Sequence, residues 1–321
     1  MRAAIKHKKI VILGTGGTIA GTAASASDPM GYIAAQVGIA QLVAAIPALA
    51  EGSCELVTEQ VAQIDSKDMS FSVWAQLAGR VNHFLVQPDV QGIVITHGTD
   101  TLEETAYFLQ ALLNPAKPVV LTCAMRPATA PAPDGPQNML DAVTVARHAG
   151  AQGVVAVCAG AIHSALDVQK VHTHRLDAFS SGDAGPLGHV EAGRLRMIRN
   201  WPAVAAHPAQ SAIKNIADLK GSDSWPRVDI VMSYAGASAA MVNALVADGV
   251  EGLVVAATGN GTLHHALEAA LLQAQAAGVK VVRATRCLQG RVVPKPGDTL
   301  PDANGLSPVK ARVALMLRLL G

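Results

Sequence analysis

Aromatic side chains make up only 3% of this 321-residue chain and charged ones 15%. Low charge beside 50% hydrophobic residues excludes the composition of disordered segments and leaves ample material for buried cores. No long run of one sign occurs, and 25 basic residues nearly cancel 24 acidic ones. That argues against nucleic acid or an anionic membrane as partner and toward a small molecule. The four cysteines, Cys54, Cys123, Cys158 and Cys287, lack CxxC spacing. Cys123 and Cys158 end expected buried strands and read as small core hydrophobes, with nothing requiring a disulfide. Long apolar runs are missing too. The run Ile10–Leu13 after Lys8 and Lys9 falls short of the roughly 7–15 residues of a secretory segment. No window approaches the roughly 18 residues of a membrane span. The expected location is the cytoplasm, although a secreted form with its leader already removed would read alike.

What is present is alternation of apolar runs with helical patterns. The stretch 92–108 organises the rest: a buried strand ends at Ile95, a polar turn Thr96-His97-Gly98-Thr99-Asp100 follows, and Leu102, Ala106, Leu109 and Leu113 then recur at helical spacing. Further strands are expected near 8–13, 54–62, 118–123 and 153–158, with helices at 39–50, 70–86 and 137–149. A Pro-containing stretch, 201–227, reads as a linker. Beyond it come strands at 228–232, 252–257 and 279–284 and helices at 238–249, 262–277 and 307–320. The expected fold is α/β in two α/β domains. Residues 1–200 form the larger, with a mixed or parallel sheet flanked by helices. Residues 228–321 form the smaller, with a parallel sheet.

Ligands of such sheets bind where strand carboxyl ends meet turns. The first strand ends in Gly14-Thr15-Gly16-Gly17-Thr18-Ile19, which fails as a dinucleotide fingerprint because Ile19 stands where the third glycine is needed. The glycines still require backbone to come close to something. Residues 22–38, rich in Ala, Ser and Gly and containing Tyr32, read as a lid loop. Thr15 and Thr99 are candidate nucleophiles on two turns, and a threonine hydroxyl needs activation. Asp100, Tyr32 and Lys170 are candidate partners. A Thr–Lys–Asp chain would parallel a Ser–His–Asp triad with an amine as base. Asp100-Thr-Leu-Glu103 also fits a helix capping box. His172 and His174, if on one strand face, would be a weak metal pair, and no carboxylate or cysteine cluster accompanies them.

Two stretches carry a family resemblance: Leu13-Gly-Thr15-Gly-Gly-Thr18-Ile-Ala-Gly21, and Ile95-Thr-His-Gly-Thr99-Asp100-Thr-Leu-Glu-Glu-Thr105. They resemble the signature motifs of bacterial-type L-asparaginases. Ala124-Met-Arg-Pro127, Asp134-Gly-Pro136, Asp167-Val-x-Lys170, Gly185-Pro-Leu-Gly188, Gly259-Asn260-Gly261 and Pro308-x-Lys310-Ala-Arg312 resemble later blocks of that family in the same order. The resemblance implies hydrolysis of L-asparagine to L-aspartate and ammonia, without metal or cofactor. It implies Thr15 as nucleophile with Tyr32 hydrogen-bonded to it, and Thr99, Lys170 and Asp100 as a second, triad-like group. Ser66 would bind the substrate α-carboxylate and Asp100 its α-amino group, and N–H groups around Thr99 would hold the oxyanion. It further implies a homotetramer, a dimer of dimers, in which Asn260 reaches the neighbouring subunit's site.

Two departures bear on specificity. Lys67 stands where secreted members usually carry Gln, and it could pair with the substrate carboxylate or partly neutralise Asp100. The segment 286–302 contains no Glu, and neither Asp298 nor Asp302 is assigned the role of an acid contributed across the subunit interface. Alternatives are a dual glutaminase–asparaginase or another small-amide amidase and, in a different class, a non-catalytic small-molecule-binding module, which would not need both threonines and the lysine.

Overall fold

The computed structural model describes residues 8–23, 31–51, 54–203 and 225–321. The chain divides into two compact units, Met1–Pro208 and Ala209–Gly321. The expected linker falls largely on residues 204–224, outside the described ones.

The first strand, β1 (Lys9–Gly16), has Ile10, Val11, Ile12 and Leu13 at zero exposure. It is buried on both faces, so its sequence is a continuous apolar run rather than an alternation. Of the expected lid, residues 24–30 lie outside the described ones. Its flanks pair as a short antiparallel hairpin, β2 (Thr22–Ala23) with β3 (Tyr32–Ile33). The returning chain is tied to the glycine turn, with Ala35 N–H on the Gly17 carbonyl and Gln36 and Val37 N–H on that of Ala20. The helix expected over 39–50 is shorter: α1 (Ile39–Ala44) stops and a 3-10 turn, Pro47–Glu51, replaces it. Pro47 lacks an N–H and disfavours the helical conformation at Ile46.

Then come β4 (Glu55–Ile64), a 3-10 turn Ser66–Asp68, α2 (Phe71–Leu85), β5 (Val90–Thr96), α3 (Leu102–Leu113), β6 (Val119–Thr122), α4 (Gly135–Arg147) and β7 (Val154–Cys158). After β7 the direction changes. β8 (Ala161–Ser164) runs antiparallel to β7, and the two-residue strands β9 (Gln169–Lys170) and β10 (Phe179–Ser180) pair apart from the main sheet. β11 (Gly188–Glu191) and β12 (Arg194–Met197) complete that sheet. The eight strands lie in the order β12-β11-β8-β7-β6-β5-β1-β4, parallel from β7 to β4 and antiparallel beyond. One face is filled by α1 and α4 residues packed on Ile10, Ile12, Val94 and Val120. Trp74 of α2 stacks on Phe108 of α3 at 4.8 Å between ring centroids, and its Nε1–H donates to Thr105 Oγ1.

The second unit is a three-stranded parallel sheet of β13 (Val228–Met232), β14 (Gly252–Ala257) and β15 (Lys280–Thr285). Val231, Leu253, Val255 and Val281 share a core with α5 (Ala240–Ala247) and α6 (His265–Ala276). α7 (Pro308–Leu319) covers the other face, its Leu315 lying against Gly252. The mixed larger sheet and parallel smaller one are the architecture expected from the sequence. No helix of the described residues is long and apolar enough to cross a membrane.

The two signature turns touch glycine to glycine. Gly17 has φ +82°, and a Cβ on it would lie 2.4 Å from both Cα and N of Gly98. We predict that Gly17→Ala lowers stability by about 2–4 kcal/mol, since strain and a backbone clash combine. Gly150→Ala, at φ +88° with nothing within 4 Å of its Cβ, is the comparison and should cost only about 1 kcal/mol. Urea unfolding of the two variants measures the difference.

Candidate active site

In the parallel part of the large sheet, β1 lies between β4 and β5. The chain steps from β1 to β4 on one side, then crosses to β5 and proceeds to β6 and β7 on the other. This is a topological switch point, where open α/β sheets bind ligands at strand carboxyl ends. A cavity of about 340 Å³ lies there, lined by Thr18, Tyr32, Ala34, Asp65, Ser66, Thr99, Asp100, Met125, Lys170, Thr173 and His174. All belong to the first unit. That volume suits a small polar molecule.

Lys170, Thr99 and Asp100 converge as the sequence suggested. Lys170 Nζ donates to Thr99 Oγ1 at 2.8 Å and to Asp100 Oδ1 at 2.6 Å. Thr99 is buried, while the Asp100 side chain is half exposed. Lys170 reaches the turn from β9, beyond the point where the main sheet turns antiparallel. The capping-box expectation is corrected. The residue before α3 is Thr101, with no side-chain cap. Asp100 spends its carboxylate on Lys170 instead.

Thr15 lies near the end of β1. It is 1% exposed, its Oγ1–H donates to the Thr96 carbonyl at 2.9 Å, and it is not among the lining residues. The threonine of that turn which lines the cavity is Thr18, whose Oγ1 lies 2.8 Å from the Tyr32 hydroxyl. Tyr32 thus meets a threonine of the first turn, but Thr18 rather than Thr15. The physical reason is the length of β1. Its pairing with β4 continues to Gly16, so Thr15 still lies inside a sheet buried on both faces. Gly16 and Gly17, at φ +103° and +82°, then turn the chain and deliver Thr18 to the mouth.

Ser66 opens the 3-10 turn after β4 and is 2% exposed. Its Oγ accepts the Asp100 N–H, and its carbonyl accepts the Thr101 hydroxyl. Two site turns are thereby tied together, and a Cβ on Gly98 would fall 2.3 Å from Ser66 Oγ. Lys67 does not line the cavity. Its Nζ pairs with Asp68 at 2.7 Å and Asp65 at 3.3 Å, carboxylates of its own turn that raise its pKa, Asp68 foremost. In this structure Lys67 thus engages carboxylates of its own turn and not Asp100.

Asn260 belongs to the second unit, where its side chain clamps Val293 by donating to the carbonyl and accepting the N–H. Asp298 pairs with the nearly buried Arg283, which holds its carboxyl below the usual range. Arg283 also donates to the Gly261 carbonyl and so braces the turn that carries Asn260. His172 and His174 do not share a strand face, because β9 ends at Lys170; the His172 ring instead accepts N–H bonds from His174 and Arg175.

Sequence reasoning missed Asp65, Ala34, Met125, Thr173 and His174 as lining residues, and noted Thr18 without giving it a role. For Asp65 a signal existed, since it directly follows Ile64, the last residue of a strand, and for Thr18 the glycine turn that precedes it. Met125 and His174 come from separate loops that only the tertiary fold brings to the cavity.

Comparison with known proteins gives concordant results. Residues 9–203 match the family described as Asparaginase, N-terminal, and residues 227–320 match the Glutaminase/Asparaginase C-terminal domain. L-asparaginase 2 of Bacillus subtilis is 38% identical over 97% of this chain and 82% of its own length. Glutaminase-asparaginase of Pseudomonas fluorescens biotype A is 38% identical over 98% of this chain and 87% of its own. Among solved structures, that of a probable cytoplasmic L-asparaginase from Campylobacter jejuni superposes with a TM-score of 0.90 at 38% identity, covering 98% of this chain and 95% of that one.

His97 gives a pH prediction. It is fully buried between the site turns, Nδ1–H donates to the Gly98 carbonyl, and Nε2 meets no partner. Burial lowers its pKa from 6.5 to about 4. Between those values the unfolded chain takes up a proton that the folded one refuses. Its contribution to stability is complete above pH 6.5 and decays toward pH 4, by on the order of 3 kcal/mol. We predict a neutral imidazole at pH 5 by NMR. Urea stability should rise from pH 4.5 to 7, with a shallower rise in His97→Asn.

Proposed function

The chain belongs to the asparaginase family, and on that premise we propose that it hydrolyses the side-chain amide of L-asparagine to L-aspartate and ammonia through threonine chemistry. It is an amidohydrolase. The observation that carries the mechanism is the bridge from Lys170 to Thr99 and Asp100, in a cavity that also holds the Thr18–Tyr32 contact. Thr15 Oγ1 attacks the amide carbon, and its proton is relayed through the site's hydroxyl groups to the amide nitrogen. The amide nitrogen is protonated and leaves as ammonia. Water then hydrolyses the β-aspartyl ester, with Thr99, held by Lys170, orienting it. Ser66 holds the α-carboxylate and Asp100 the α-ammonium. The oxyanion falls to the Thr99 N–H, since that of Asp100 donates to Ser66 Oγ.

Catalysis resides in residues 1–200, with 201–227 as linker and 228–321 as the second domain. The working form is a cytoplasmic homotetramer in which Asn260 approaches a neighbouring site. The Campylobacter jejuni neighbour, described as cytoplasmic, supports that location. Exposed Ile230, Met232 and Tyr234, alternate residues along and just beyond edge strand β13, supply apolar surface for assembly. A second reading, dual action on L-glutamine, is favoured by the similarity to a glutaminase-asparaginase. One methylene changes binding by only about 1–3 kcal/mol.

Ammonia release should be measured on L-asparagine, D-asparagine and L-glutamine. We predict that Thr15→Ala and Thr99→Val each reduce turnover of L-asparagine at least about a thousandfold without unfolding the protein. Near-normal turnover by Thr15→Ala excludes the mechanism. Light scattering should report a tetramer; a monomer would remove the role given to Asn260.

A further inference from the structure

We propose that Asp65 selects for the substrate's α-ammonium group, and that Lys67 competes with that group for the Asp65 carboxylate. The inference rests on the asparaginase reading of this cavity and adds a residue to it.

Three observations support it. First, Asp65 lines the cavity with a side chain 37% exposed, whereas Lys67, 61% exposed, does not line it. Second, the other cavity carboxylate is shared, since Asp100 Oδ1 also holds Lys170 Nζ at 2.6 Å. The contacts of Asp65 are longer: Oδ1 accepts the Lys67 N–H at 3.4 Å, and Oδ2 lies 3.3 Å from a Lys67 Nζ that sits closer, at 2.7 Å, to Asp68. A carboxylate offers about four lone-pair sites, so Asp65 keeps acceptor capacity for an ammonium with three donors. Third, Ser66 lies between the two carboxylates. Asp65 precedes it in the chain, and the Asp100 N–H donates to its Oγ at 3.1 Å. An amino acid whose α-carboxylate rests on Ser66 therefore has its α-carbon flanked by Asp100 and Asp65.

The charges agree. Asp65 and Asp100 face Lys170 as the lysine of the lining, which leaves room for one cation. Lys67, kept protonated by Asp68 and Asp65, supplies part of that charge from outside. It pulls on the same carboxylate and loosens the substrate's hold.

The test dissects the substrate. KM is measured for L-asparagine and for succinamic acid, which lacks only the α-amino group; where succinamate turns over too slowly, its competitive Ki is used. Asp65→Asn should raise KM for L-asparagine about fivefold to twentyfold, as expected for loss of a partly solvated charge-assisted hydrogen bond. It should leave kcat and the succinamate value within about twofold. Lys67→Gln should lower KM for L-asparagine, and should have no effect in the Asp65→Asn background. Equal effects on both substrates, or none, overturn the proposal. So does a Lys67→Gln effect that persists without Asp65. If Asp65→Asn fails to fold, the Lys67→Gln comparison between the two substrates still decides. A wild-type protein that releases no ammonia from L-asparagine instead refutes the asparaginase reading itself.

Discussion

The site depends on a contact between two residues that have no side chains. Gly17 and Gly98 meet backbone to backbone at the carboxyl ends of β1 and β5, and Ser66 closes against Gly98 from the end of β4. Three adjacent parallel strands would otherwise send their turns apart, since each turn leads into its own connection. Removing the side chains at the junction draws the turns together and sets the spacing of Thr18, Thr99, Asp100 and Ser66. The hydrogen bonds from Asp100 and Thr101 to Ser66 then fix two of the turns to each other. The frame needs rigid support, and β1, with both faces buried, provides it.

Charge inside the frame is settled locally. Lys170 satisfies Thr99 and Asp100, and Lys67 is held by Asp65 and Asp68. In the second unit Arg283 is held by Asp298. An amine that enters the cavity therefore competes with lysines already in place, so discrimination depends on how firmly each carboxylate is engaged. His97, buried at the same junction, avoids adding a charge by remaining neutral.

Much of this was legible before folding. The apolar runs marked the strands because burial on both faces leaves no alternation to misread. Thr99, Asp100, Lys170, Ser66 and Tyr32 all reach one cavity, as the motifs implied. Some features needed the fold. Thr15 and Thr18 belong to one motif, and only the extent of β1, past Leu13 to Gly16, separates their surroundings. Lys67 finds acidic partners within its own turn. Asp100 fits a capping box by spacing, yet its carboxylate meets a lysine distant in sequence.

Fold class, the order of elements and the residue types of the site follow from short-range periodicity and from motifs with fixed spacing. Folding in three dimensions settles which threonine of the first turn lines the cavity, which carboxylate each lysine engages, and that Met125 and His174 line the same space. Those outcomes depend on where a strand stops and on contacts between residues far apart in the chain. Periodicity carries no information about either.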